Sequence, residues 1–198
     1  MSKRLFDLLM SSLGLLILGP AMLLIALLIK LDSPGPVFFR QERVGRFGHL
    51  FRIRKFRTMR HEPKGQGLQI TVGADSRITR VGRYLRGSKL DELPQLIDVW
   101  LGSMSLVGPR PEVPRYVAHY PDAMRAKILS VRPGITDIAS IEYRDESSVL
   151  ARAADPEQAY IQEVMPHKLA LAASYVDKVS VWTDVKLICR TIWMIARG

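Results

Sequence analysis

Residues 8–29 read LLMSSLGLLILGPAMLLIALLI, a stretch of 22 residues without a charged side chain. A bilayer crossing needs roughly 20 consecutive apolar residues, so this length indicates a segment that enters a membrane. Gly19 and Pro20 stand near its middle. Because proline lacks the backbone N–H that a helix uses and its ring crowds the preceding turn, the sequence predicts a membrane helix that kinks or breaks there.

The charges on both sides of this stretch bear on its topology. Lys3 and Arg4 precede it and Lys30 follows it. Basic residues favour the cytoplasmic side, so the two flanks together favour a chain that enters the membrane, turns at Gly19-Pro20 and returns. A kinked transmembrane helix and a cleaved signal peptide are the alternatives, although the apolar region is long for a signal peptide and no small-residue cleavage site follows it.

Length and charge limit what the remainder can be. The chain has 198 residues, a formal net charge of +10 and one cysteine, Cys189, so an intrachain disulfide is excluded. We expect a membrane hairpin over residues 1–31 and one domain over residues 32–198. The excess of cations favours anionic lipid or phosphorylated substrates. A membrane-anchored basic module that binds anionic lipid or nucleic acid is the alternative, but the aromatic residues do not alternate with the basic ones as a stacking surface requires.

Periodic patterns predict the elements that follow. Residues 50–56 alternate in part and predict a strand that pairs with a short strand near 37–39, across a turn over 41–48. An i, i+3, i+4 pattern predicts a one-faced helix that opens at Asp91-Glu92 and ends at Gly102. A second apolar helical face suits a helix in the membrane interface or one packed on the core; it carries Trp182, Val185, Cys189, Ile192 and Trp193.

The best candidates for chemistry are two adjacent carboxylates, Asp91 and Glu92. Acids are common at a helix start, which is the simplest explanation. The preceding stretch, 77–89, carries five cations and no acid. In such surroundings two carboxylates can stay ionised, hold a divalent cation such as Mg²⁺ and present one oxygen as a nucleophile. Arginine forks match phosphate oxygens, and the candidates are Arg86, then Arg110 between two prolines, then Arg132.

Five motifs occur in a fixed order along the chain. They are Lys3-Arg4-x-Phe6-Asp7 before the apolar stretch, Lys55-Phe56-Arg57-Thr58-Met59, Asp91-Glu92-Leu93-Pro94-Gln95-Leu96, Gly102-x-Met104-Ser105-Leu106-Val107-Gly108-Pro109-Arg110-Pro111 and Arg132-Pro133-Gly134-Ile135-Thr136. Together they resemble the bacterial sugar transferases, the monotopic polyprenyl-phosphate phosphoglycosyl transferases, over roughly residues 3–136.

The resemblance implies a reaction and a place for it. A sugar 1-phosphate would pass from a UDP-sugar to undecaprenyl phosphate with release of UMP, as the first membrane step of glycoconjugate assembly. Asp91 would be the nucleophile that carries a covalent phosphosugar, and Glu92 its partner, with Mg²⁺ on the diphosphate. Lys55, Arg86, Arg110 and Arg132 would bind phosphate. The enzyme would be monotopic on the cytoplasmic face of the inner membrane, without nucleic acid as a partner.

The resemblance also implies the fold and shows two departures. We expect a mainly helical α+β fold with a re-entrant membrane hairpin, a small β-hairpin or sheet and interfacial amphipathic helices. The break often reads Ser-Pro in the family, but here it is Gly19-Pro20. Many members continue after the last motif with Gly-Trp-Ala-Gln, whereas residues 137–146 differ, so Tyr143 and Arg144 are offered as substitute sugar or nucleotide contacts. A homodimer is left open, as is the sugar.

Overall fold

The computed structural model describes residues 2–60, 76–142 and 155–197, together with residues 150 and 153. Its helices are α1 (Ser2–Asp32), α2 (Arg80–Gly87), α3 (Gln95–Leu101), α4 (Pro114–Val117), α5 (Asp122–Ile128), α6 (Ile138–Glu142), α7 (Pro156–Ala159), α8 (Met165–Val176) and α9 (Val181–Ala196). Its strands are β1 (Phe38–Val44), β2 (Leu50–Phe56), β3 (Ser105–Val107) and β4 (Gly134–Thr136). Helices dominate and the sheets are small, so the predicted α+β class is confirmed.

The strands β1 and β2 form the predicted hairpin. They pair antiparallel, with Val44 opposite Leu50 and Phe38 opposite Phe56. The strand β1 is longer than predicted. It continues to Val44 through residues 41–44, which were predicted to belong to the turn. The turn itself is a 3₁₀ turn over Arg46–Gly48. The hairpin buries Phe56 against α1 and α2, which fixes the end of β2 beside both helices.

The strands β3 and β4 bring together two of the sequence motifs, the one that contains Ser105 and the one that contains Gly134. They pair in parallel, with Ser105 opposite Gly134, and the connection between them contains α4 and α5. A β-carbon on Gly134 would stand 2.1 Å from the backbone nitrogen of Gly108, so only glycine allows this approach. The glycines therefore let the two loops after β3 and before β4 pack backbone to backbone.

The apolar stretch belongs to a single helix, α1. The helix continues from Ser2 to Asp32 with Pro20 inside it, so Gly19-Pro20 does not divide it into two separate helices. It is long and apolar enough to cross a membrane by length and composition, and 17% of its most apolar window is buried. A proline in mid-helix still removes one hydrogen bond, which is where a bend is expected. The re-entrant topology stays a prediction.

Both ends of α1 are joined to the same body. At the amino-terminal end, the Lys3 ammonium pairs with the buried carboxylate of Asp184 in α9, and the buried Asp7 carboxylate accepts the backbone N–H of Leu106 at 3.2 Å. At the other end, Arg57 donates to the carbonyl oxygens of Ile29 and Ser33 at 3.2 and 2.7 Å, and so caps the helix. The motif residues at both ends are thus helix anchors.

The centre of α1 is less buried than its ends. No residue from 12 to 21 is buried, whereas Asp7 and Ser11 on one side and Met22, Ile25 and Ile29 on the other are buried. The outward face carries exposed leucines along the whole helix, from Leu5 to Leu31. This face has no polar cover, which is unusual for a surface that meets water.

The predicted apolar face of α9 is not packed on the core. Its side toward the body carries the buried Asp184 and Leu187, while Trp182 and Trp193 are 67% and 56% exposed. Lys186 lies over the Trp182 ring at 5.2 Å and Arg197 over the Trp193 ring at 3.9 Å. The predicted apolar face therefore points away from the core, and each of its tryptophans has a cation on its ring.

The helix predicted to open at Asp91-Glu92 is shorter than expected. Asp91 and Glu92 lie in a separate 3₁₀ turn, Leu90–Glu92, and α3 begins at Gln95. The helix does end at Gly102, which has φ +88°. The two acids therefore precede α3 on a turn of their own.

Candidate active site

Glu92 is the centre of the candidate site. The Lys55 ammonium lies 2.5 Å from Oε1 of Glu92, and Nη2 of Arg110 lies 3.1 Å from the same oxygen. The three residues come from β2, the 3₁₀ turn and the loop after β3. The structure therefore brings together three of the predicted site residues that the sequence keeps 37 and 18 positions apart.

The turn that carries the dyad begins in a strained conformation. Lys89 has φ +58°, a left-handed conformation that costs a residue with a β-carbon roughly 1–2 kcal/mol. Its carbonyl accepts the N–H of Glu92 at 3.3 Å, which closes the turn. This conformation ends α2 sharply and directs Asp91 and Glu92 toward β2. Strain of this kind concentrates at functional sites.

Asp91 lies beside Glu92 and is almost fully buried. It is 9% exposed, and among the hydrogen bonds between described residues none ends on its carboxylate. Burial raises the pKa of Asp91, and the neighbouring Glu92 charge raises it further, while Lys55, Lys89 and Arg86 oppose that rise. When it is ionised, a carboxylate among these cations can act as an oxygen nucleophile.

Glu92 differs sharply from its neighbour. Its burial would raise the pKa, but the charges of Lys55 and Arg110 outweigh burial and hold the pKa of Glu92 well below its usual range. Burial lowers the pKa of Lys55, and the Glu92 charge opposes that change. The dyad thus pairs one carboxylate that stays firmly ionised with one that protonates more easily.

The loop that carries Arg110 is fixed at its backbone. The N–H of Gly134 donates to the Pro109 carbonyl at 3.0 Å, and Arg43 donates to the Pro111 carbonyl at 3.0 Å. The backbone N–H of Arg110 donates to the carboxylate of Asp137 at 3.0 Å. Hydrogen bonds with Gly134, Arg43 and Asp137 therefore fix the backbone of this loop, in addition to its two prolines.

The helix that carries Arg86 is docked on the residues after β2. The Thr58 carbonyl accepts the N–H of Thr79 at 3.0 Å, and the Thr79 side chain caps α2 by accepting the N–H of Gly82. Arg86 lies in the last turn of this helix and opposes the rise in the pKa of Asp91. Arg86 is therefore near enough for its charge to act on Asp91, and its role as a phosphate ligand stays a prediction.

Arg132 lies elsewhere. Its Nε donates to the Gly102 carbonyl at 2.8 Å, so it sits at the carboxyl end of α3, whereas the dyad precedes the amino end. A helix of this length separates the two by roughly 10 Å. Burial lowers the pKa of Arg132, as do the nearby cations Arg4 and Arg46. The structure does not bring Arg132 to the dyad, and its role as a phosphate ligand stays a prediction.

Two predicted contacts, Tyr143 and Arg144, lie outside the described residues. Asp137 was missed, because a single acid after a short strand carries no periodic signal. The pair of Arg54 and the buried Asp98 was also missed; the Asp98 carboxylate accepts the Arg54 backbone N–H at 2.9 Å and pairs with its guanidinium. This contact between Asp98 and Arg54 joins α3 to β2, and the dyad directly precedes α3 in the chain.

The dyad offers limited ligands for a metal ion. Within the described part of the chain, no group of three or more His, Cys, Asp or Glu side chains could hold one. Asp91 and Glu92 supply two carboxylates, of which Oε1 of Glu92 is already engaged. Mg²⁺ is commonly held by one or two carboxylates together with substrate phosphates. The pair therefore fits a Mg²⁺ ion that shares its coordination with a diphosphate.

Several known proteins are similar to this chain over nearly its whole length. The UDP-glucose:undecaprenyl-phosphate glucose-1-phosphate transferase of Caulobacter vibrioides is 37% identical over 96% of this chain and 68% of its own length. The UDP-N-acetylgalactosamine-undecaprenyl-phosphate N-acetylgalactosaminephosphotransferase of Aeromonas hydrophila is 39% identical over 99% of this chain and 44% of its own. The galactosyl transferase CpsE of Streptococcus agalactiae is 32% identical over 100% and 42%.

The family comparison covers the whole chain. The chain spans less than half the length of the Aeromonas and Streptococcus relatives, and about two thirds of the Caulobacter relative. The model described as "Bacterial sugar transferase" matches residues 1–198, which include every motif that forms the site. The protein therefore belongs to the bacterial sugar transferase family.

Proposed function

We propose that the protein transfers a sugar 1-phosphate from a UDP-sugar to undecaprenyl phosphate and releases UMP. The observation that carries the proposal is the buried Asp91 beside a Glu92 that Lys55 and Arg110 hold ionised. The names of relatives that match nearly the whole chain support the two substrates. Because these relatives use glucose and N-acetylgalactosamine, the proposal extends to the class of UDP-sugars and not to one sugar.

In the first step, an Asp91 carboxylate oxygen attacks the phosphorus that bears the sugar. A bond forms between that oxygen and the phosphorus, and the bond from the phosphorus to the bridging oxygen breaks. UMP leaves with the bridging oxygen and the electron pair. The product is a phosphosugar ester of Asp91, a mixed anhydride that remains reactive.

In the second step, a phosphate oxygen of undecaprenyl phosphate attacks the same phosphorus. The bond to Asp91 breaks, the carboxylate is regenerated and a lipid-linked diphosphate sugar forms. Each displacement brings anions together, so cations must offset the repulsion. Arg86 and Arg110 supply guanidinium groups on two sides of the dyad, and Lys55 keeps Glu92 in place.

Glu92 positions the two cations, since its Oε1 contacts both Lys55 and Arg110. Asp91 and Glu92 would hold Mg²⁺ with the substrate diphosphate, where the ion would neutralise charge on the leaving UMP. The anhydride must be shielded from water, and the burial of Asp91 serves that purpose.

We also propose that the protein is monotopic on the cytoplasmic face of the inner membrane. A straight spanning helix would place its ends on opposite sides, roughly 30 Å of hydrocarbon apart. In contrast, Lys3 and Arg57 join both ends of α1 to one body. The unburied centre around Gly19-Pro20 suits a segment that enters one leaflet and returns. The exposed Trp182 and Trp193 on α9 suit the headgroup region.

The released nucleotide tests the reaction. With purified protein, a UDP-sugar and undecaprenyl phosphate, we expect UMP and a lipid-linked diphosphate sugar. One relative is named a galactosyl transferase, and a transfer of the sugar alone would release UDP. UDP as the product would reject the proposal in favour of that second candidate. A panel of UDP-sugars in the same assay would identify the donor.

The covalent step has its own test. We expect the wild-type protein, mixed with UDP-sugar and no lipid acceptor, to release one equivalent of UMP and to carry a sugar-phosphate mass on Asp91. Asp91→Asn should lose both the burst and steady turnover, because an amide is a poor nucleophile. Ser103→Ala, which alters a side chain bonded to the Asp98 carbonyl, provides a variant outside the dyad. Turnover by Asp91→Asn near the wild-type rate would remove the proposed nucleophile.

Labels at the two ends of α1 test the topology. Cysteines introduced at residue 2 and residue 40, in a background without Cys189, should both react only from the cytoplasmic side. Reaction from opposite sides would mean that α1 crosses the bilayer.

A further inference from the structure

Asp137 is a buried acid that the proposed reaction does not use. It directly follows β4 and is 5% exposed. One carboxylate oxygen accepts the backbone N–H of Arg110 at 3.0 Å, and the other accepts the N–H of Ser140. Since Ser140 is in the first turn of α6, Asp137 also acts as the N-cap of that helix.

The bond to Arg110 completes the fixation of the loop. Gly134 holds the carbonyl of Pro109, Arg43 holds that of Pro111, and the Val44 N–H donates to the Glu112 carbonyl at 2.9 Å. The N–H of Arg110 itself is held by a side chain 27 positions away. The backbone of the residue that reaches Glu92 therefore depends on Asp137.

The negative charge of Asp137 stabilises the charged form of Arg110, in addition to the hydrogen bond that it accepts from the Arg110 backbone. Two acids bond to Arg110, Glu92 at its guanidinium and Asp137 at its backbone N–H, and the charge of Glu112 also acts on it. The Glu92 charge raises the pKa of Arg110, burial lowers it, and the charge of Asp137 adds a smaller rise. A buried carboxylate bonded to a backbone N–H gives a strong, directional contact.

We propose that Asp137 is a positioning residue, which fixes the backbone of Arg110 so that its guanidinium meets the dyad at the distance the reaction needs. The inference rests on the proposed function. It gives the residue directly after the last sequence motif a part in the site. A displacement near 1 Å of a positioned group can reduce catalysis about 100-fold.

A second N-cap supplies the matched control. Asp155 caps α7, since one of its carboxylate oxygens accepts the N–H groups of Glu157 and Gln158, both at 3.0 Å. Among the described residues, its hydrogen bonds do not reach the loop of Arg110. Asp137→Ala and Asp155→Ala each remove a cap, so they separate the loss of a cap from the loss of the contact to Arg110.

We expect Asp137→Ala to lower kcat/KM for the UDP-sugar roughly 10- to 100-fold, and Asp155→Ala to change it less than about twofold. Asp137→Asn keeps one acceptor oxygen and should recover part of the loss. In an Arg110→Gln background, Asp137→Ala should add little, because the group it positions is gone. Equal effects of the two caps, or full additivity with Arg110→Gln, would overturn the proposal.

Binding provides a readout that does not need turnover. We expect the affinity for UDP, measured by calorimetry in detergent, to fall about tenfold in Asp137→Ala and to stay unchanged in Asp155→Ala. If Asp137→Ala does not fold, Asp137→Asn decides by the same two measurements. Wild-type turnover that releases no UMP would reject the proposed function; UMP release with unchanged UDP affinity in Asp137→Ala would reject only the role of Asp137.

Discussion

A β-carbon on Gly82 would stand 2.0 Å from the carbonyl oxygen of Thr58. This close approach joins α2 to the residues that follow β2, and α2 carries Arg86. Because the obstacle is backbone, a larger side chain cannot be accommodated by a rotamer change. The position of Arg86 relative to Lys55 therefore depends on a residue without a side chain.

Gly82→Ala should displace α2. We expect it to destabilise the protein by about 1–3 kcal/mol and to lower the rate of UMP release. Gly87→Ala in the same helix is the control, since a β-carbon there meets nothing within 4 Å. It should be neutral or stabilise by up to about 1 kcal/mol. Chemical denaturation in detergent and steady-state rates check both; similar behaviour of the two variants would contradict the close packing.

Lys55→Met should move the acidic limb of the pH–rate profile to higher pH. Burial raises the pKa of Asp91 and Lys55 opposes that rise, so without Lys55 the pKa rises further. The attacking carboxylate must be ionised, so activity is present above this pKa and is lost as the pH falls through it. Removing Lys55 thus extends the loss toward neutral pH.

The control for this profile is Lys127→Met. Lys127 pairs with Asp177 at 2.7 Å on an exposed surface, away from the dyad. Its removal should leave the limb where it is. A Lys55→Met profile with lower rates but an unmoved limb would mean that Lys55 does not tune Asp91.

Lys3→Met should destabilise the attachment of α1. Asp184 is 0% exposed, and its carboxylate pairs with Lys3 while accepting the Tyr175 hydroxyl at 2.7 Å. Removing one partner of a buried pair costs about 3–5 kcal/mol, because the other charge is left buried. The double variant Lys3→Met/Asp184→Asn should recover part of this loss, as thermal unfolding in detergent can measure. Strict additivity would show that the pair is not coupled.

Trp182 and Trp193 should report a lipid environment. In variants that keep one tryptophan, both should be quenched by lipids brominated near the headgroup and protected from aqueous iodide. Leu187→Ala serves for comparison, since this buried residue on the same helix should affect stability and leave the quenching pattern unchanged. Quenching by iodide alone would place this face in water.

Periodicity predicted the elements better than it predicted their buried faces. In the helix before Gly102, Trp100 and Leu101 belong to the apolar periodic pattern, yet both are exposed, while Gln95 and Asp98 are buried. Asp98 is buried because it meets Arg54 on β2, a contact 44 positions away that leaves no local trace. A hydrophobic pattern predicts which apolar residues tend to be buried. The burial of a polar residue depends on a partner elsewhere in the chain, which the local pattern does not reveal.

The candidate site was predicted only in part, because contacts between distant residues leave no local pattern. The resemblance of motifs indicated Asp91, Glu92, Lys55 and Arg110, and the structure brings the last three into contact. Arg132 has the same local appearance as Arg110, since each precedes a proline, yet it bonds to Gly102 at the far end of α3. A neighbouring proline predicts that the backbone of the arginine is rigid. The groups that its side chain contacts are determined by the packing of the rest of the chain.

The pair of Lys3 and Asp184 also bears on the order in which the chain can fold. Its members lie 181 positions apart, so α1 closes against a helix that is synthesised much later. At 5–20 residues per second, Lys3 waits on the order of 10–40 s for its partner to be synthesised. During that interval Arg57 and Leu106 are already available to hold α1, but the contact with Asp184 is not. The exposed apolar face of α1 can therefore meet lipid before Lys3 and Asp184 close this end of the helix against α9.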